Sequence, residues 1–212
     1  MLTKEDLLVC QAPPNIKDVS LALYKAFAEE YLIGRIFRYT FTDGSVLNVQ
    51  FTEWGIYHML AIQHINGKID RNNFFEQIEA GLDLNELQAT DALKYRFKKF
   101  KKRITTFACI YQVMISGKIF YMPTGCVEGT SSVQMDYIAY KAFVNISPTG
   151  KTMNGLNVGI RENGGIFVPL TMLISRNSNI EEYIETAVPK IVKCLEIIDG
   201  VGKIIDKICH SV

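Results

Sequence analysis

The sequence predicts an α+β fold, and three observations carry that prediction. Apolar residues recur three to four apart at Ile16, Val19, Leu23, Phe27 and Tyr31, and again at Leu93, Phe97, Phe100, Ile104, Phe107 and Tyr111, the period of helices with one buried face. After Gly117 the runs KIFYMP, MDYIAYKAFVNI, LNVGI and GIFVPLTML are rich in β-branched and aromatic residues, and the intervening GTSS, SPTGKTMNG and RENGG have turn chemistry. Helices and strands that segregate along the chain, instead of alternating, build an α+β domain. The 212 residues, 48% of them hydrophobic, suffice for one full core, so a single domain is expected over 1–212.

Taken in order, the break at Pro13-Pro14 precedes a helix from Asn15 to Leu32 that ends near Gly34. RIFRYTFTDGSVLNVQF then reads as two strands around Thr42-Asp43-Gly44-Ser45, a hairpin. The stretch FTEWGIYHMLAIQHI follows as a helix over about 52–65, and FFEQIEAGLDLNEL as short helices broken at Gly81. Asp91 caps a long helix reaching about Ile115. The four β-rich runs form an antiparallel meander, and a last helical region is expected from about Asn179 to Ile208, with Pro189 as a kink and a break near Gly200–Gly202.

Bulk features exclude several classes. The longest uncharged run, about Ile104–Ile115, falls short of the roughly 20 residues that span a bilayer, and MLTKEDLLVCQAPP carries acids before its brief apolar patch, unlike a secretory signal. Cys10, Cys109, Cys126, Cys194 and Cys209 are odd in number and contain no CxxC pair, which points to free thiols in a reducing cytoplasm and to neither a disulfide framework nor a zinc site. There is no GxxxxGK[ST], GxGxxG, GxSxG or HExxH, so no nucleotide cofactor or catalytic zinc is expected.

The net charge of +1 conceals one strongly basic element. KYRFKKFKKR, residues 94–103, holds seven bases and no acid, leaving 16 bases against 22 acids elsewhere, a footprint suited to a polyanion or to a solvated helix face. On a helical wheel Lys94, Lys98, Lys101 and Lys102 fall away from the apolar stripe, while Arg96 and Arg103 flank it. A guanidinium there suits a phosphate at the edge of a core, or a stem packed beside that core with its head in water.

Four further positions stand out. His58 and His64 lie about 240° apart on a continuous wheel, which points away from a shared metal and turns His58 inward, to a core role or to proton chemistry. Within the β runs, alternation puts Lys141 on one face with Tyr137 and Ala139, and Thr171 is a polar residue inside FVPLTML.

From about Tyr24 to Tyr183, these features together resemble the phage-associated nuclease domains of the barnase, EndoU, colicin E5/D and RelE-like group, close to its fourth phage class. The similarity lies in the hairpin FRYTFTDGSVLNVQF, the histidine segment IYHMLAI, the arginine in KKRITTF and the late strand FVPLTML. The family segment has an aromatic residue, then His-Leu-x-Gly. His58 matches the histidine, whereas Ile56, Met59 and Ala61 depart from the aromatic, the leucine and the glycine.

The resemblance implies a small antiparallel sheet on helices, with a helical extension over about 179–209. It also implies metal-independent, cofactor-free RNA cleavage by 2′-hydroxyl attack. By carry-over His58 is an acid or base, Arg103 holds the scissile phosphate, Thr171 donates a hydrogen bond and Lys141 adds electrostatic support. Arg96, Lys98, Lys99, Lys101 and Lys102 would draw in the RNA. A bacterial phage or mobile element as the source, and a neutralising protein or RNA partner, belong to the same expectation. The competing reading is a catalytically inactive nucleic-acid-binding or protein-interaction module on the same fold.

Overall fold

The computed structural model describes residues 1–125, 134–147, 150–175, 179 and 181–209. Helices dominate its first half. They are α1 (Lys4–Leu8), α2 (Leu21–Tyr31), α3 (Glu53–Met59), α4 (Ile62–Ile65), α5 (Phe74–Glu79), α6 (Asp91–Phe107) and α7 (Ile110–Ser116). The strands are β1 (Ile36–Phe41), β2 (Val46–Gln50), β3 (Lys118–Tyr121), β4 (Tyr137–Ser147), β5 (Gly150–Asn163), β6 (Ile166–Ser175), β7 (Val188–Lys190), β8 (Val192–Ile198) and β9 (Ile204–Cys209). They join in one mixed sheet of order β7-β3-β4-β5-β6-β2-β1-β8-β9. Every pairing is antiparallel except β2 with β6, which meet at Val49 and Phe167.

Local chemistry explains the boundaries. Ser20, Thr52 and Thr90 accept from Leu23, Gly55 and Leu93 and so cap α2, α3 and α6; Thr90 thus does what the sequence assigned to Asp91. The hairpin turn uses Gly44 at φ 82°, while Asp43 accepts from the Ser45 amide and from Lys190. The long helix predicted to Ile115 stops at Phe107 and restarts at Ile110. The RENGG turn forms with Gly164 and Gly165 in the left-handed region, the expected SPTGKTMNG turn is mostly strand because β5 already begins at Gly150, and the GTSS turn lies outside the described residues.

The expected C-terminal helix is not there: the chain from Val188 to Cys209 forms β7, β8 and β9. Its Ile and Val spacing satisfies a helix, but β-branched side chains pack better on a pleated surface. Asp199 accepts from the amides of Val201 and Lys203, and Gly202 has φ 85°, which closes a hairpin in place of a helix break. Because β8 and β9 pair with Cys194 opposite Cys209, the two sulfurs form a disulfide. That corrects the expectation of free thiols throughout; Cys10 and Cys109 are free, and Cys126 lies outside the described residues.

The main core lies between helices and sheet, where Tyr24, Phe27, Phe37, Tyr39 and Phe107 are fully buried. The Tyr24 and Tyr39 hydroxyls donate to the carbonyls of Ile104 and Met114 at 2.7 and 2.6 Å, so these large rings bury no unpaired oxygen. A smaller cluster of Met122, Met135, Ile138, Tyr140 and Ile184 covers the other face of the β3–β6 region. Among the described residues no helix is long and apolar enough to cross a membrane.

Candidate functional site

The histidine segment is held by a glycine. Helix α3 packs on β6, and a Cβ at Gly55 would stand 2.6 Å from the Pro169 carbonyl oxygen and 3.4 Å from Val168 Cγ1. Only glycine permits that approach. His58 follows one turn later, half-buried, its ring edge-on to Trp54 at 4.9 Å and to Tyr57 at 5.4 Å. Its Nε2 is buried without a hydrogen-bond partner among the described residues, as are Trp54 Nε1 and Gln63 Oε1. Burial, then the charges of Arg71 and His64, hold the imidazole below its ordinary value of 6.5.

The continuous wheel fails at Ala61, so the predicted 240° angle no longer applies, although the two histidines still face different neighbours. Ala61 has φ 61° and ψ 27°, the left-handed conformation, and divides α3 from α4; among the described residues it is the one non-glycine with positive φ. His64 is therefore re-aimed. Its exposed ring stacks on Phe100 of α6, centroids 5.0 Å apart and planes 16° from parallel. Lys99 Nζ and the Arg103 guanidinium lie 5.7 and 6.0 Å from the same Phe100 ring. Burial, then Arg103, then Lys99 lower the His64 value.

Ala61 yields a test of this geometry. A left-handed alanine costs roughly 1–2 kcal/mol, which a glycine would relieve. The glycine forfeits about 0.5–1 kcal/mol in chain entropy and about 0.8 kcal/mol from the lost buried methyl. These nearly cancel, so Ala61→Gly stays within about 1 kcal/mol of the parent in urea denaturation. Ala61→Val, β-branched at a buried positive-φ site, loses about 2 kcal/mol or more.

Arg103 is half-buried, and no carboxylate pairs with it among the described residues. Burial works against its charge and Tyr183 works the other way; a guanidinium stays protonated regardless. Arg96 diverges from it and is exposed, as are Lys98, Lys99, Lys101 and Lys102. Thr171 is half-buried on β6, the strand against which both α3 and α6 pack. It stands opposite Gly159, and its Cγ2 occupies space 2.6 Å from where a Gly159 Cβ would be.

Lys141 does not join this group. It pairs with Leu156, which in turn pairs with Ile174, and these three stand three residues from Ile138, Gly159 and Thr171 on their respective strands, so Lys141 projects from the opposite face of the sheet to Thr171. Its ammonium donates to Ser116 Oγ of α7 at 2.5 Å.

Sequence reasoning missed the His64–Phe100–Arg103 stack, which joins distant segments, and the left-handed break that creates it. The Trp54–His58 contact was legible, since four residues on a helix bring two side chains together. Two open hollows of about 460 and 530 Å³ lie elsewhere, one against Phe120 and Ile184, the other against Ile69 and Leu93. Of the candidate residues, His64 of α4 and Arg103 of α6 meet at the Phe100 ring, while His58 sits on α3 and Thr171 on β6. Comparison with family models, with curated proteins and with solved structures finds no match to this chain.

Proposed function

We propose that the protein is a metal-independent endoribonuclease of phage or mobile-element origin. The observation that carries this reading is His58: a half-buried imidazole with lowered proton affinity and an unpartnered buried Nε2. An imidazole neutral at pH 7 accepts a proton, and an unmet nitrogen costs about 1–3 kcal/mol unless something bonds it.

In this reading His58 takes the proton of a ribose 2′-hydroxyl as its oxygen attacks the adjacent phosphorus. Arg103 holds the charge that develops on the phosphorane, and the Thr171 hydroxyl donates to it. The 5′ oxygen leaves with a proton from water, and a 2′,3′-cyclic phosphate remains. Further support comes from Ala61: the position where the resembled family carries glycine takes a left-handed backbone. Lys141, tied to Ser116 on the other face, is left out of the chemistry. A neutralising protein or RNA partner is part of the same proposal.

Mixed RNA incubated with the protein and EDTA yields fragments ending in cyclic phosphate. Arg103→Ala lowers that rate about 10²–10³-fold. Salt-sensitive RNA binding without any cleavage by the parent protein would overturn the enzymatic reading and leave a binding module.

A further inference from the structure

The outer face of α6 carries an aromatic residue that packing does not explain. Tyr95 is 75% exposed and makes no ring contact with another described residue. The other rings of the helix turn inward: Phe97 and Phe107 are buried, and Phe100 lies under His64. At 100° per residue, Lys98, Lys99 and Lys102 all fall within about 60° of Tyr95, and Lys102 stands two turns along, roughly 10 Å away.

This face holds positive charge without compensation. The one acid of α6, Asp91, sits in the first turn 3.5 Å from Lys94. Among the described residues Arg96, Lys98, Lys101 and Lys102 make no ion pair. An exposed ring set within uncompensated cations combines two elements that unpaired polynucleotides use, stacking for the base and charge for the backbone. A duplex has its bases already stacked and offers only phosphates to such a surface. Charge complementarity favours a polynucleotide, and the free ring favours an unpaired one.

We infer that the exposed face of α6 is a binding site for single-stranded RNA, with Tyr95 as the platform on which one base stacks and Lys98, Lys99 and Lys102 as its phosphate contacts. The choice of RNA rests on the nuclease reading above; the choice of an unpaired strand rests on Tyr95 alone.

The test uses full-length His58→Ala protein, so that the probe survives, and a labelled 12-nucleotide oligouridylate at low salt. The expected result is binding at least about fivefold tighter than to a duplex of equal length. Adding Tyr95→Ala should weaken single-strand binding about 5- to 150-fold, while Tyr95→Phe keeps it. Lys102→Gln should reduce the salt slope by about one phosphate contact. Unchanged affinity in Tyr95→Ala, equal affinity for duplex, or binding only to phosphatidylserine vesicles would overturn the inference. A parent protein that binds oligouridylate through Tyr95 yet never cleaves RNA would uphold it while sinking the nuclease.

Discussion

Replacing His58 with alanine lowers metal-free RNA cleavage about 10²–10⁴-fold, the usual worth of a positioned proton acceptor, and leaves oligouridylate binding on α6 intact. The pH profile distinguishes this role from mere packing. Burial, Arg71 and His64 hold the His58 value below 6.5, so cleavage rises with pH to a midpoint under 6.5 and is level at pH 7 and above. Stability moves with the same sign. Below pH 6.5 the unfolded chain binds protons that the folded imidazole refuses, so stability falls as pH drops from 6.5 toward the lowered folded value and is complete above 6.5. His64 is lowered too and acts in the same direction. His58→Gln therefore flattens urea midpoints compared at pH 7.5 and 5.5, and a cleavage rate equal to the parent's would end the catalytic assignment.

Much of the α+β arrangement was legible because its signals are local. Thr42-Asp43-Gly44-Ser45 names its own turn, and the apolar runs within β3 to β6 need only themselves to be read as strands, although the polar start of β5 at Gly150–Gly155 was read as turn. The C-terminal segment was not, since what makes it a sheet is Ile36–Phe41 at the other end of the chain: Ile36 opposes Ile198, and Tyr39 opposes Leu195. Isoleucines three and four apart look alike in a helix and in a strand until their partner is known. The disulfide was hidden by the same error, because Cys194 and Cys209 become neighbours only as register partners.

The candidate site divides along similar lines. His58 was singled out by its apolar surroundings and its contact with Trp54, both within one helix. The place of His64 depended on a single backbone conformation at Ala61, which an alanine does not advertise. Lys141 and Thr171 sat in comparable runs, and only the register shows that they serve opposite faces.

Gly55→Ala carries the second large effect, because it tests whether the seat of α3 sets the chemistry. Alanine gains about 1 kcal/mol of helix propensity over glycine. Against that, its methyl would lie 2.6 Å from the Pro169 carbonyl oxygen and 3.2 Å from Thr52 Oγ1, the atom that caps the helix by accepting from the Gly55 amide. A carbonyl on a paired strand cannot swing aside as a flexible side chain would, so α3 itself must lift. The clash costs about 1–3 kcal/mol and outweighs the propensity gain. His58 moves with the helix, and a displacement of about 1 Å at a reacting group is worth about 10²-fold in rate. Cleavage thus falls further than the stability loss alone accounts for. Gly67→Ala is the matched control: its nearest atom is the Gln63 carbonyl oxygen at 3.6 Å, an ordinary contact, and both stability and cleavage stay at parental levels. Gly55→Ala protein with parental urea midpoint and parental rate would show that α3 does not rest on β6 as described.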